Sequence, residues 1–157
     1  MEKRLEVIYK ENSRYVFNIA LGMLRNRDDA QDITQNVFIK LFDSIDSFRG
    51  DSNIKTYLYR MTINRCIDLI RQRKMQDNKM DKAARKNSIP ADSGFILWDL
   101  LDKLDIDHRA PLLLSEISGF SYKEISEILS IKEGTVKSRV SRAINRLKDL
   151  INKEDKK

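Results

Sequence analysis

The segment from Lys132 to Arg146 concentrates side chains that can pair with phosphates and with the edges of bases. Arginine and lysine bond phosphates or guanine, and serine and threonine add further hydrogen bonds. The candidate contacts to duplex DNA are the cations and hydroxyls at its start: Lys132, Thr135, Lys137, Ser138, Arg139, Ser141 and Arg142. These residue types predict recognition of a nucleic acid rather than catalysis.

The surrounding pattern predicts the helices that present these side chains. Gly119 can end one helix, and Ser121 with Glu124 has the spacing of a capping box that begins the next. After a turn at 130–131, a second helix is predicted to begin near Glu133. Its inner side is apolar: Val136, Val140, Ala143, Ile144, Leu147, Leu150 and Ile151. The cations and serines lie on the opposite side, as in a helix-turn-helix whose second helix enters the major groove.

A second candidate binding surface is acidic. From Asp28 to Asp46 there are five aspartates and one lysine, a local net charge of −4. A helix is predicted over 30–45, and the aspartates near its start suit the positive end of its dipole. Its apolar residues fall on one stripe: Ile33, Val37, Phe38, Leu41, Phe42 and Ile45. A metal site is the weaker interpretation, since aspartates are common at helix starts and no histidine lies nearby.

Candidate catalytic residues are few. His108 is the single histidine, and its place beside Arg109 at a predicted helix start suits a surface or capping role better than that of a general base. Cys66 is the single cysteine, so it has no partner for a disulfide or a cysteine zinc site, and helical periodicity places it in the core. The sequence therefore predicts a protein that is not an enzyme and that needs no cofactor or metal.

Helical periodicity predicts an all-α protein with two small domains. Three or four helices form the first domain, 1–74, and helical periodicity resumes in the second, 95–157, which contains the helix-turn-helix. Between them, 75–94 is polar, includes proline and glycine, and predicts a flexible linker. Residues 71–90 contain seven cations and two aspartates, and residues 132–157 contain nine cations and four acids. The acidic segment is thus followed by two basic ones.

The composition favours a soluble chain with a polyanionic partner. Of 157 residues 41% are hydrophobic, only two are proline and five glycine, and the net charge is +6. No apolar run approaches the roughly 20 residues of a membrane span. The opening MEKRLEVIYKENSRYVF carries charges where a signal peptide has its apolar core. We therefore expect a cytoplasmic protein.

Two motif blocks resemble the extracytoplasmic-function (ECF) group of bacterial sigma factors. GFSYKEISEILSIKEGTVKSRVSRAINRL is similar to their promoter-binding helix-turn-helix, and DDAQDITQNVFIKLF with FRGDSNIKTYLYRMTINRCIDLIRQRK is similar to their N-terminal domain. The resemblance covers nearly the whole chain apart from the linker and the termini. It implies a subunit that gives core RNA polymerase its promoter specificity, binding the minus-thirty-five element and melting the minus-ten element. It also implies that an anti-sigma factor can be a partner, which this sequence does not identify.

The resemblance implies a role for the acidic segment. In the family, the helix corresponding to 28–42 docks on the clamp helices of the largest polymerase subunit, and the local charge of −4 fits a basic partner. The residues implied in docking are polar and spaced for an outward face: Asp29, Asp32, Gln35, Asn36 and Lys40.

The resemblance also implies a site for melted DNA. The loop FRGDSN is similar to the family loop that receives a flipped base. The next helix, predicted over 54–73, carries one polar stripe: Tyr57, Arg60, Asn64, Asp68 and Arg71. Aromatic surfaces, amides and cations recover the few kcal/mol that flipping costs. The candidate minus-ten contacts are Arg49, Asn53, Tyr57, Arg60, Asn64, Arg71 and Arg73. Core packing is the alternative for the Tyr57 ring.

Some residues depart from the family's pattern. Tyr57 stands where tryptophan is usual, and Lys132 stands where a capping serine or proline is common. Pro111 is compatible with a helix if Asp107 caps it and the proline lies in the first turn. One alternative function stays open, a helix-turn-helix regulator that binds duplex DNA without polymerase.

Overall fold

The computed structural model describes residues 1–48, 52–77 and 95–156, which belong to two compact units. The described residues form helices and no strand. The first unit contains α1 (Glu2–Leu24), α2 (Arg27–Ser44), a short 3-10 helix (Ile45–Ser47) and α3 (Ser52–Asp77), and the second contains α4 (Phe95–Asp102), α5 (Ile106–Glu116), α6 (Tyr122–Leu129) and α7 (Glu133–Asp155). The predicted all-α, two-domain architecture is confirmed. None of the described helices is long and apolar enough to cross a membrane.

In the first unit each of the three α-helices packs against the other two. Their shared core contains completely buried side chains from every helix, among them Val16, Ile19, Val37, Leu41 and Leu58. Burying an aliphatic side chain of this size contributes about 1.5–3 kcal/mol, so this core accounts for much of the unit's stability. The predicted apolar stripe of α2 is confirmed, because it supplies one wall of this core.

A two-residue connection joins α1 to α2. Arg25 adopts the left-handed conformation (φ 53°), which ends α1, and the Asn26 Oδ1 accepts a hydrogen bond from the backbone N–H of Asp29 at 3.0 Å. Because Asn26 caps the helix, α2 begins at Arg27, three residues earlier than predicted. Asp28 and Asp29 therefore lie in its first turn, where the helix dipole favours negative charge.

Helix α3 is longer than the sequence pattern indicated. It continues through Met75–Asp77, the first residues of the predicted linker, while the rest of that linker lies outside the described residues. Its inner face includes Tyr59, whose hydroxyl donates to the Asn12 Oδ1 at 3.3 Å, and Cys66, which is fully buried as predicted. Burial raises the pKa of the Cys66 thiol to about 12, so the thiol stays protonated.

The second unit is held together by α7, which packs against α4, α5 and α6. Near the start of α5, the buried Arg109 guanidinium donates to the carbonyls of Asp102 at 3.1 Å and Leu104 at 2.8 Å. A cation at a helix C-terminus satisfies carbonyls that lack helical partners. Burial lowers the pKa of Arg109, and the carboxylates of Asp102 and Asp105 oppose that shift.

The expected start of α5 was wrong. Asp105, not Asp107, is the N-cap, and its carbonyl accepts from the backbone N–H groups of His108 and Arg109 at 3.0 and 2.9 Å. The helix therefore begins two residues earlier, and Pro111 lies inside it rather than in its first turn. His108 is half-buried, with its Nδ1 3.8 Å from an Asp105 carboxylate oxygen.

Candidate nucleic-acid and protein-binding surfaces

The helix-turn-helix is formed by α6 and α7. The Ser121 Oγ accepts from the Glu124 N–H at 3.2 Å, and the Glu124 carboxylate accepts from the Ser121 N–H at 2.7 Å, which confirms the predicted capping box. Ser130 ends α6 in the left-handed conformation (φ 56°), and α7 follows with Lys132 as an N-cap that makes no side-chain capping bond. The turn thus fixes where the N-terminal half of α7 projects.

Helix α7 has one buried side and one polar side. Val136, Val140, Ala143 and Leu150 are buried, whereas Ile151, predicted on the inner face, is 44% exposed. Among the predicted duplex contacts, four are exposed and three half-buried: Lys132, Lys137, Ser141 and Arg142, then Thr135, Ser138 and Arg139. We call these seven residues the cationic surface.

The cations of this surface have no internal counter-charge. Within the described chain, the side chains of Lys137, Arg139 and Arg142 form no ion pair and no hydrogen bond. Their positive charge is therefore left for an anionic partner. An arginine that formed an ion pair inside the protein would have to break that pair before it could bind an anionic partner.

The outer side of α3 carries part of the predicted minus-ten site. Arg60, Asn64 and Arg71 are exposed on one stripe, which we call the α3 stripe. Tyr57, at the head of the stripe, is half-buried, and its ring centroid lies 4.9 Å from that of Phe48 in a tilted arrangement. The ring is thus packed on one side by an aromatic neighbour and still partly open to solvent.

Three predicted minus-ten residues do not join this stripe. Arg49 lies outside the described residues, and Asn53 lies in the first turn of α3 but its side chain is outside what the structure describes. Arg73 follows Arg71 by two residues, about 200° around the helix, and so points to the other side of α3. There its guanidinium forms an ion pair with the Asp29 carboxylate, and both side chains are half-buried.

This ion pair links two residues that the sequence assigned to different sites. Asp29 belongs to the predicted docking set and Arg73 to the predicted minus-ten set, and they lie 44 positions apart in the chain. Their pairing fastens the start of α2 to the end of α3. Sequence spacing could not reveal it, because it depends on how the two helices cross.

The remaining docking residues lie on the outer face of α2. Asp32, Gln35, Asn36 and Lys40 are exposed. Between α2 and α3 runs a groove of about 240 Å³, which we call the acidic groove because three carboxylates and one arginine line it. Its lining residues are Asp29, Asp32, Ile33, Asn36, Arg65, Asp68, Leu69 and Gln72.

The structure also exposes a residue that the sequence interpretation passed over. Ile39 is 57% exposed and lies on the polar face of α2. Its position three residues after Asn36 and four after Gln35 could have identified it, because those offsets place residues on one helical face.

Within the described residues, no group of three or more acidic, histidine or cysteine side chains is arranged to hold a metal ion.

Comparisons with known proteins identify the family. Residues 8–75 match Sigma-70 region 2, and residues 95–147 match Sigma-70, region 4. The ECF RNA polymerase sigma-E factor of Haemophilus influenzae is 30% identical over 151 residues, covering 83% of this chain and 80% of that protein. This chain belongs to the ECF sigma factors. EcfG of Rhodopseudomonas palustris is 33% identical over 138 residues, covering 84% of this sigma factor and 76% of the relative.

Other relatives agree with this assignment. The sigma factor SigE of Mycolicibacterium smegmatis is 31% identical over 157 residues, although the match covers 93% of this chain and only 61% of that longer protein. The sigma factor RpoE of Bartonella quintana, solved in complex with the anti-sigma factor NepR, superimposes with a TM-score of 0.79 at 28% identity, covering 96% and 98% of the two chains. CnrH, solved with the cytosolic domain of CnrY, has a TM-score of 0.77 at 20% identity and supports the fold alone. A regulator that acts without polymerase is therefore not favoured.

Proposed function

We propose that this sigma factor directs core RNA polymerase to promoters through three separate surfaces. The α2 face docks on core polymerase, the cationic surface of α7 binds the duplex minus-thirty-five element, and the α3 stripe with the preceding loop holds the melted minus-ten element. The first domain includes all of α3 and so extends to Asp77, three residues beyond the predicted 1–74, and the second domain is 95–157. The observation that carries the proposal is the unpaired cationic surface on a helix whose opposite side is buried.

Recognition of the duplex uses the N-terminal half of α7. In a helix-turn-helix the first residues of the second helix reach the base edges, and neighbouring cations neutralise phosphates. Arg142 and Lys137 are exposed and offer charged donors, while Ser141 offers a hydroxyl on the same side. A good bidentate arginine contact is worth about 1–3 kcal/mol of discrimination, so a few such contacts define a promoter.

Capture of the melted strand uses the α3 stripe. The Phe48 and Tyr57 rings give an aromatic surface, and in the sequence Phe48 directly precedes Arg49. Stacking on an aromatic ring stabilises an unpaired base by about 1–3 kcal/mol, which offsets the cost of leaving the duplex. Asn64 adds an amide and Arg60 and Arg71 add cations for the backbone. Arg73 acts differently, since its pairing with Asp29 favours a role in holding α2 against α3.

The partners of this sigma factor follow from these surfaces. Core polymerase and promoter DNA are its working partners, and the chain supplies no catalytic group, metal or cofactor of its own because polymerase carries out the chemistry. It acts in the cytoplasm, where polymerase and DNA meet. The likeness to RpoE solved with NepR supports an anti-sigma factor as a further partner.

Run-off transcription tests the proposal. The purified chain is added to core polymerase on a library of random promoters, and transcripts are sequenced to identify the selected elements. We expect transcription that depends on the chain and two enriched promoter elements. Duplex binding without transcription, and without retention of core polymerase in a pull-down, would instead identify a regulator that works without polymerase.

Replacing Asn64 by alanine separates melting from binding. The amide acts only after the base leaves the stack, so the closed complex should form normally while opening falls by roughly fivefold, the effect of losing about 1 kcal/mol of hydrogen bonding. Permanganate reactivity of unpaired thymines and run-off yield report opening on paired and mismatched templates. Asn152→Ala, an exposed amide near the end of α7 outside the cationic surface, is the control. Normal opening and base preference in Asn64→Ala would remove Asn64 from the site.

A further inference from the structure

Ile39 lies on the exposed face of α2, one turn after Gln35 and Asn36. It is 57% exposed, and three of the four residues one turn away on either side, Gln35, Asn36 and Asp43, are exposed and polar, while the fourth, Phe42, is half-buried. A branched aliphatic side chain has a lower helix propensity than the straight-chain polar residues that suit such a position. Isoleucine is therefore an unusual residue for this exposed position.

The immediate surroundings of Ile39 combine an apolar point with negative charge. Asn36, one turn before it, also lines the acidic groove, so the two features adjoin. In that groove the carboxylates of Asp32 and Asp68 form no ion pair within the described residues, whereas Asp29 is already paired with Arg73. The surface thus offers one exposed aliphatic side chain next to two carboxylates available to a cationic partner.

Protein interfaces depend on this combination. The few residues that carry most of the binding energy sit centrally, where they are desolvated, and the polar residues around them exclude water. On α2, polar docking residues adjoin Ile39, because Gln35 and Asn36 lie one turn before it and Lys40 follows it directly. The polar residues by themselves would form solvated contacts that contribute little.

We propose that Ile39 is the apolar anchor of the surface that docks on core polymerase. This inference rests on the proposed function and adds the residue that dominates affinity. Asp32 precedes Ile39 by seven residues, about 10 Å along the helix axis. The polymerase surface that fits therefore has an apolar hollow for Ile39 and a lysine or arginine about 10 Å away that enters the acidic groove.

Matched substitutions test the anchor. Ile39→Ser should weaken binding to core polymerase by roughly tenfold or more, the effect typical of a central interface residue. Val7→Ser is the control, because Val7 is 52% exposed on α1 and lines a different groove. Serine has nearly the helix propensity of isoleucine and valine, so neither change should alter the melting temperature much. Ile39→Leu, which keeps an apolar side chain, should keep at least a third of the parent's affinity.

Competition binding of labelled chain to core polymerase gives the affinities, and the parent chain is measured first. If the parent binds and Ile39→Ser binds within twofold of it, the anchor is overturned while the proposed function stands. Equal losses in Ile39→Ser and Val7→Ser would also overturn it, since exposed apolar area in general would then be responsible. If the parent does not bind core polymerase, the proposed function itself fails.

Discussion

Helices α2 and α7 are built alike and differ in what their charges meet. Each buries one side in its own unit and exposes a polar side, acidic in α2 and cationic in α7. In α7, Arg142 and Lys137 have no counter-ion within the described chain, whereas in α2 the carboxylate of Asp29 is paired with Arg73. A run of like charges therefore predicts a binding surface only through those members that form no ion pair inside the protein.

The strongest test of this difference is Arg142→Ala. Loss of an unpaired arginine that contacts a base should cost about 1–3 kcal/mol of promoter affinity and relax the preference at one position of the minus-thirty-five element. The holoenzyme's affinity is measured on matched and mismatched duplexes at several salt concentrations. Lys153→Ala, an exposed cation in the last turn of α7, is the control. Equal affinity and equal sequence preference in Arg142→Ala would show that the outer face of α7 does not read DNA.

A charge reversal on α2 should have the next largest effect. Asp32→Lys places a cation where we expect a basic partner, and unfavourable like-charge contact should weaken core binding by about 1–2 kcal/mol. Duplex binding through α7 should not change, because Asp32 lies in the other unit. Asp46→Lys makes the same change in net charge on the exposed 3-10 helix outside α2. If both reversals weaken core binding equally, the effect comes from overall charge rather than from the α2 face.

Much of the fold could be predicted from the sequence because its cues are local. The Ser121 and Glu124 capping box and the apolar stripe of α2 depend on residues close in the chain, and the structure contains both. A local cue can also mislead, and the error then affects only a few residues. The start of α5 was placed two residues late because Asp105 and Asp107 are equally good caps by residue type, and only the backbone at Asp105 decides between them.

The candidate sites were less predictable because they depend on contacts between distant residues. The cationic surface could be derived from one helix, since every member lies within eleven positions, Lys132 to Arg142. The ion pair of Asp29 with Arg73 and the acidic groove both require α2 and α3 to be placed side by side. The spacing within α2 alone was enough to place Ile39 on the outer face. Its exposure was still not expected, because isoleucine is usually assigned to a core.

A double-mutant cycle on Asp29 and Arg73 sharpens the comparison. Asp29→Asn and Arg73→Gln remove the charges while keeping similar shapes, and we expect a coupling of about 0.5–1 kcal/mol in the free energy of unfolding. Urea titrations of the parent, both single variants and the double variant give this value. If Arg73 instead serves the minus-ten site, Arg73→Gln will weaken binding to a melted template while the coupling stays near zero.

The smallest effect concerns the turn that aims α7. Gly119 and Ser130 both adopt the left-handed conformation, at φ 66° and 56°, but only the first is glycine. A non-glycine residue in this region is strained by about 1–2 kcal/mol, and glycine would relieve the strain while losing more chain entropy on folding. Ser130→Gly should therefore stabilise the second unit by about 0.5 kcal/mol.

Gly119→Ala provides the matched opposite change. No atom lies within 4 Å of an added Cβ at Gly119, so its cost, about 1 kcal/mol, should come from the backbone conformation alone. Thermal unfolding of both variants gives the two values. Ser130 lies outside the cationic surface, so promoter affinity should be equal in Ser130→Gly and the parent. Lower affinity in a more stable variant would show that serine holds α7 at the angle that DNA binding requires, and that the strain serves recognition.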